Sequence, residues 1–120
     1  MQAGASVLVV DDDSGIRDAL AECLESEGYR VTTAQHGAEA LERLRDHRPG
    51  VIVVDLLMPV MNGYQFLAAL RADPALASIP VLLMTGTTAR ADAPHPAVDA
   101  LLPKPFELED LLGVVRRLVR

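Results

Sequence analysis

Five polar residues, far apart in the chain, each stand where an apolar run stops. Asp11 and Asp12 follow the run 7–10, Asp55 follows 51–54, Thr85 follows 81–84, and Lys104 comes just after 100–102. Together they offer two or three carboxylates, one hydroxyl and one ammonium. Carboxylates gathered closely repel one another, so either one keeps its proton or a cation sits among them. Hard oxygen ligands in an incomplete cage suit Mg2+, which keeps several waters and often takes further ligands from a phosphoryl group. In such a site Asp55 can attack phosphorus as a carboxylate. The Lys104 ammonium and the metal can offset charge on the group in transfer. The Thr85 hydroxyl can donate to one of its oxygens. Each residue taken singly has a plainer use: Asp11 can cap a helix, and a Lys-Pro pair is an ordinary surface turn. The weight lies in the combination of order and position.

The elements that must position these residues alternate. Val7 to Val10 predicts a strand, followed by a helix with Ile16, Leu20, Cys23 and Leu24 on one face, capped by Asp13 or Ser14 and stopped at Gly28. Tyr29 to Ala34 predicts a second strand and Ala38 to His47 a second helix, punctuated by Pro49-Gly50. Val51 to Val54 is the third strand. A turn at 58–63 leads into a helix with Phe66, Leu67 and Leu70 inward. Val81 to Met84 and Ala100 to Leu102 are the remaining strands, and a last helix over about 107–119 carries Leu108, Leu111, Leu112, Val115 and Leu118. Strands apolar throughout and alternating with helices predict a doubly wound α/β domain whose parallel sheet is covered on both faces. All strand ends then share one edge, the carboxyl edge at which open α/β sheets bind ligands.

Composition agrees. A length of 120 residues fits one domain, 1–120, and 50% hydrophobic residues allow a core without disulfides or a structural metal. The net charge of −6 disfavours unaided binding to nucleic acid or an anionic membrane surface. Cys23, the single cysteine, excludes an internal disulfide and is compatible with a reducing cytoplasm; among apolar helix positions it reads as a small buried hydrophobe. No apolar run approaches membrane-spanning length, and the first six residues lack the pattern of a secretion signal. His36, His47 and His95 lack metal-ligand spacing and read as solvated. Glu22, Glu25 and Glu27 read as an exposed helix face, and Arg116, Arg117 and Arg120 as a solvated helix end.

As a set, the stretches LVVDDD (8–13), VDLLMPVMNG (54–63), MTG (84–86) and KPF (104–106) resemble the receiver domains of response regulators in two-component signalling, from about Val7 to the C-terminus. The resemblance implies five strands in the order 2-1-3-4-5, as in the chemotaxis member of the family, flanked by five helices. It implies that Asp55 is the phosphoacceptor, Asp12 the main acidic Mg2+ ligand with Asp11 beside it, and the Leu57 carbonyl a backbone ligand. Thr85 matches the switch hydroxyl and Lys104 its lysine partner, with the Lys104-Pro105 bond often cis. The implied donor is a phosphohistidine on a sensor histidine kinase or phosphotransfer protein, and the output a downstream protein target. Such a domain catalyses only its own phosphorylation and dephosphorylation, and is a monomer or a phosphorylation-linked homodimer.

The chain departs from the family pattern in three places. Leu101 stands three residues before Lys104, where an aromatic is frequent. The segment between Thr85 and Lys104 is short and holds Pro94 and Pro96, so a short or irregular fourth helix, mobile without a partner, is expected. Leu57 and Thr87 stand where polar side chains are frequent; an apolar Leu57 positions water poorly, which predicts slow self-dephosphorylation. Pro103 beside Lys104 is also unusual. Two rival readings follow: a pseudo-receiver that binds proteins without phosphate, and a haloacid dehalogenase-like phosphohydrolase. The second requires an Asp two residues after the nucleophile, where Leu57 stands. A receiver forming part of a longer regulator or hybrid kinase is a further expectation.

Overall fold

The structure, a computed structural model, describes residues 5–58, 60–86 and 98–119. Five strands form one parallel sheet: β1 (Ser6–Val10), β2 (Arg30–Ala34), β3 (Val51–Asp55), β4 (Val81–Thr85) and β5 (Ala100–Pro103), in the order β2-β1-β3-β4-β5. Among the described residues there are four helices: α1 (Ser14–Ser26), α2 (Gly37–Arg43), α3 (Gly63–Ala72) and α4 (Leu108–Leu118). The segment expected to hold a short or irregular extra helix, with Pro94, His95 and Pro96, lies outside the described residues, as do Thr87 and Arg120.

Strands β3 and β4 are buried at every position, and β1 from Val7 to Val10, because both sheet faces are covered there. Val7, Val9, Val51, Val53, Leu82 and Met84 face α1 and α4, where they meet Leu20, Leu24, Leu111 and Val115. Leu8, Val10, Ile52, Val54, Val81 and Leu83 face α2 and α3, where they meet Ala40, Phe66, Leu67 and Leu70. The alternation has period two, yet through the middle of the sheet neither face is polar, so β1, β3 and β4 read as apolar runs, whereas the edge strand β2 carries Arg30, Thr32 and Thr33. Each fully buried Val, Leu or Phe contributes about 1.5–3 kcal/mol.

Local chemistry sets the helix ends. The Asp13 side chain accepts from Ile16 N at 3.2 Å and caps α1, leaving Ser14 as the first helical residue. Gly28, at φ 96°, ends that helix in the left-handed region that glycine tolerates best. Asn62 and Gln65 form a reciprocal capping box at the start of α3, with bonds of 2.8 and 2.9 Å.

Several sequence expectations are corrected. The second helix stops at Arg43, not His47, because the chain must turn to bring Gly50 N onto Ser6 O at 2.8 Å. Ile16 and Leu108 were expected inward but are 37% and 45% exposed: each lies in the first turn of its helix, short of the residues that join the core. Cys23 is half-buried, packed against the core but not sealed in it. His36 is no solvated bystander; its Nδ1 accepts from Glu39 N at 3.2 Å and caps α2.

Candidate functional site

Parallel pairing fixes where the strand ends fall. Val10 of β1 pairs with Val54, Asp55 of β3 pairs with Met84, and Thr85 of β4 pairs with Pro103. Asp11, Asp55, Thr85 and Lys104 therefore arrive at the same edge from four strands. One carboxylate oxygen from each of Asp11, Asp12 and Asp55 can be chosen so that all three lie within 4.8 Å of one another. Lys104 Nζ lies 2.9 Å from Asp55 Oδ1. Lys104 N donates to Thr85 O at 2.6 Å, which holds the lysine backbone against the end of β4 directly after Pro103. The Lys104-Pro105 peptide is cis.

Burial divides the acids. Asp11 and Asp55 are 1% and 6% exposed, whereas Asp12 is open to solvent. Burial raises the Asp11 carboxyl above its ordinary range; the bond from Asp13 N at 2.9 Å opposes this, while the charges of Asp55 and Asp12 add to it. Burial also raises Asp55, against the hydrogen bond and positive charge of Lys104, and with Asp12 adding to the rise. Two buried polar atoms have no hydrogen-bond partner among the described residues: Asp11 Oδ2 and Thr85 Oγ1. Such atoms cost stability unless a ligand completes them. Three converging carboxylates with one ammonium and an orphaned acidic oxygen fit a divalent cation of oxygen preference. The Thr85 hydroxyl supplies a donor for an anionic group beside it.

The loop after Asp55 is shaped for close approach. A Cβ on Gly63 would stand 2.9 Å from Leu56 Cα and 3.1 Å from Asp55 O, so only glycine lets α3 begin this near the strand end. Val60 adopts φ 67°, a strained conformation for a β-branched residue. Leu57 is 70% exposed, and its side chain carries no polar atom. Leu101 packs half-buried against the α2–α3 side of the core.

Asp11, Asp12, Asp55, Thr85 and Lys104 thus converge; Thr87 lies outside the described residues. Sequence reasoning missed Arg17, whose Nη1 donates to Asp11 O at 2.8 Å and anchors the backbone of the acidic pair. Its position one turn into α1, behind an acid-rich strand end, was the available signal.

The chain is similar to known proteins over most of its length. The family model for the response regulator receiver domain matches residues 7–116. Response regulator Rre1 of Synechocystis sp. is 37% identical over 118 residues, covering 95% of this chain and 51% of that protein. Response regulator MprA of a Mycobacterium species is 38% identical over 117 residues, covering 95% and 50%. The chain therefore spans about half the length of the curated relatives it matches. Among solved structures, chemotaxis response regulator CheY4 of Vibrio cholerae superposes with a TM-score of 0.87 at 34% identity, covering 98% of this chain and 100% of that one. The receiver domain of sensor histidine kinase PA1611 from Pseudomonas aeruginosa, with a magnesium ion coordinated in its active-site cleft, superposes with a TM-score of 0.85 at 27% identity, covering 97% and 98%.

Proposed function

Because this chain belongs to the response regulator receiver domain family of two-component signalling, we propose that it is a phosphoacceptor switch, one receiver domain over 1–120, with Asp55 as the acceptor. A carboxylate oxygen of Asp55 attacks the phosphorus of a phosphohistidine on a sensor kinase or phosphotransfer protein. A P–O bond forms, the P–N bond breaks, and the imidazole leaves with the bonding pair and takes up a proton. Asp11, Asp12, Asp55 and the Leu57 carbonyl would hold Mg2+, which when bound neutralises charge on the acidic cluster and on the phosphoryl oxygens.

Lys104, already 2.9 Å from Asp55, moves its charge onto a phosphoryl oxygen once Asp55 carries the acyl phosphate. The Thr85 hydroxyl donates to another and so loses its orphan status. Its movement opens room on the side where Leu101 packs, which makes an aliphatic shift the outgoing signal to a downstream protein. Reversal is hydrolysis of the acyl phosphate, slow because Leu57 offers water no hydrogen bond. The domain has no turnover substrate; it acts in the cytoplasm, as a monomer or a phosphorylation-linked dimer. The large exposed apolar side chains among the described residues, Ile16, Leu57, Val60, Tyr64 and Leu108, all lie on segments that leave the carboxyl edge, which suits docking of a protein donor over the cleft.

The observation that carries this reading is the buried Asp55, paired with Lys104 and clustered with Asp11 and Asp12, at the strand edge where Asp11 Oδ2 and Thr85 Oγ1 lack partners. It is tested by incubating the protein with Mg2+ and a small-molecule phosphoryl donor or beryllofluoride. An adduct that requires both Mg2+ and Asp55 supports it. No adduct and no Mg2+ binding makes the domain a phosphate-independent interaction module instead.

A further inference from the structure

A second cluster of like charge lies at the other edge of the sheet. Arg30 of β2, Arg43 of α2, and His47 and Arg48 just beyond it surround a cavity of about 330 Å3. Three of the chain's eleven Lys and Arg side chains meet there, in a protein of net charge −6, and none of the lining side chains is acidic. Only Arg43 has a carboxylate partner among the described residues, Glu39 at 3.4 Å, and that pair is exposed. Arg48 bonds to Ala75 O and to Ser78 Oγ at 2.7 Å, both neutral acceptors.

The fold makes this opening. Ser6 pairs with Arg30 and Leu8 with Thr32, so these four share one face of the sheet. Higher on the same face Val10 and Ala34 are sealed in the α2–α3 core. Because α2 ends at Arg43, Ser6, Arg30 and Thr32 at the lower part of β1 and β2 stay open or half-open, while Leu8 between them is buried. There the face turns polar: Ser6, Arg30 and Thr32 stand where a covered parallel sheet uses apolar residues. Leu8 and Leu44, buried in the core, close the cavity floor.

We propose that this amino-edge cavity binds a small phosphorylated ligand of nucleoside-monophosphate size. Guanidinium groups give forked donors that match phosphate oxygens. The hydroxyls of Ser6 and Thr32 serve polar groups of the ligand, and Leu8 and Leu44 close the floor beneath it. The volume lies at the lower end of the range for small-molecule sites. The site stands at the opposite end of the strands from Asp55, so it is distinct from the acidic cleft.

Adenosine 5′-monophosphate and inorganic phosphate, titrated separately into Mg2+-free protein and followed by amide 1H–15N spectra, test this. The nucleotide is expected to shift the amides of Thr32, Leu44 and His47, and added salt to weaken it. Arg30→Gln, at an exposed side chain, should weaken binding at least about tenfold, the worth of one charge-assisted hydrogen bond. Phosphate shifting the same amides more weakly identifies the anion subsite. The proposal is overturned if about 10 mM nucleotide leaves those amides unmoved, a concentration at which even millimolar affinity would register. It is equally overturned if the shifts persist in both Arg30→Gln and Arg43→Gln, or if phosphate binds there and the nucleotide does not.

Discussion

At the carboxyl edge of the sheet Asp11 and Asp55 are almost sealed from solvent; at the amino edge Arg30, Arg48 and His47 remain exposed. The same strands lead to both. Buried charge at one end is desolvated, raises its own carboxyl pKa values and leaves polar atoms unpartnered. Exposed charge at the other end keeps its water and costs little. The contrast separates stored electrostatic tension, which a cation or a phosphoryl group can relieve, from a merely charged surface. It also predicts how differently the two ends respond to substitution.

The largest effect is expected from Asp55→Asn, which should abolish the covalent phosphoryl adduct, read by intact-mass spectrometry. An adduct of undiminished yield would move the acceptor elsewhere. Next comes Gly63→Ala, whose methyl group meets Leu56 Cα and Asp55 O; it should cost about 2 kcal/mol in urea unfolding, within the overpacking range.

Asp11→Asn should instead stabilise the metal-free protein at neutral pH by about 1 kcal/mol, the scale of one relieved buried polar group. The sign follows from burial. The folded state raises the Asp11 carboxyl above its ordinary value of 3.8, so the folded state holds that proton more tightly and stability falls as pH rises through that shifted range. Asparagine has no charge to desolvate, and its amide can donate toward Asp55 or Asp12. The gain should vanish below about pH 4, where the acid is protonated in both states. Mg2+ binding, followed by calorimetry, should weaken in the same variant.

Leu57→Asn should speed loss of the phosphoryl group by about fivefold, one ordinary hydrogen bond to the attacking water; an unchanged half-life would show that Leu57 does not govern that loss. At the amino edge Arg30→Gln should change unfolding free energy by no more than about 0.5 kcal/mol. A larger loss would mean that the amino edge also stores strain and that the contrast between the edges fails.

Much of this is legible in the order of the residues. Apolar runs that stop at Asp11, Asp55 and Thr85 announce strand ends, because a covered parallel strand tolerates polarity only where it leaves the sheet. Helix periodicity placed Leu20, Leu24, Phe66, Leu67, Leu70, Leu111 and Val115 inward, and all are buried. Periodicity failed at Ile16 and Leu108, since it reports the side of a helix and not whether that turn is covered. His36 was misjudged because capping depends on backbone geometry, which spacing alone does not reveal. Arg17 was missed because its partner is a backbone carbonyl.

By itself, then, the sequence determined the alternation of elements, the family, and which residues end the strands, because these follow from local polarity along the chain. Only the tertiary structure decided which of three adjacent acids is buried, which oxygens are left without partners, and that a short α2 uncovers a basic cavity at the far edge. Those depend on how far one element reaches over another, a distance in space that residue order does not encode locally.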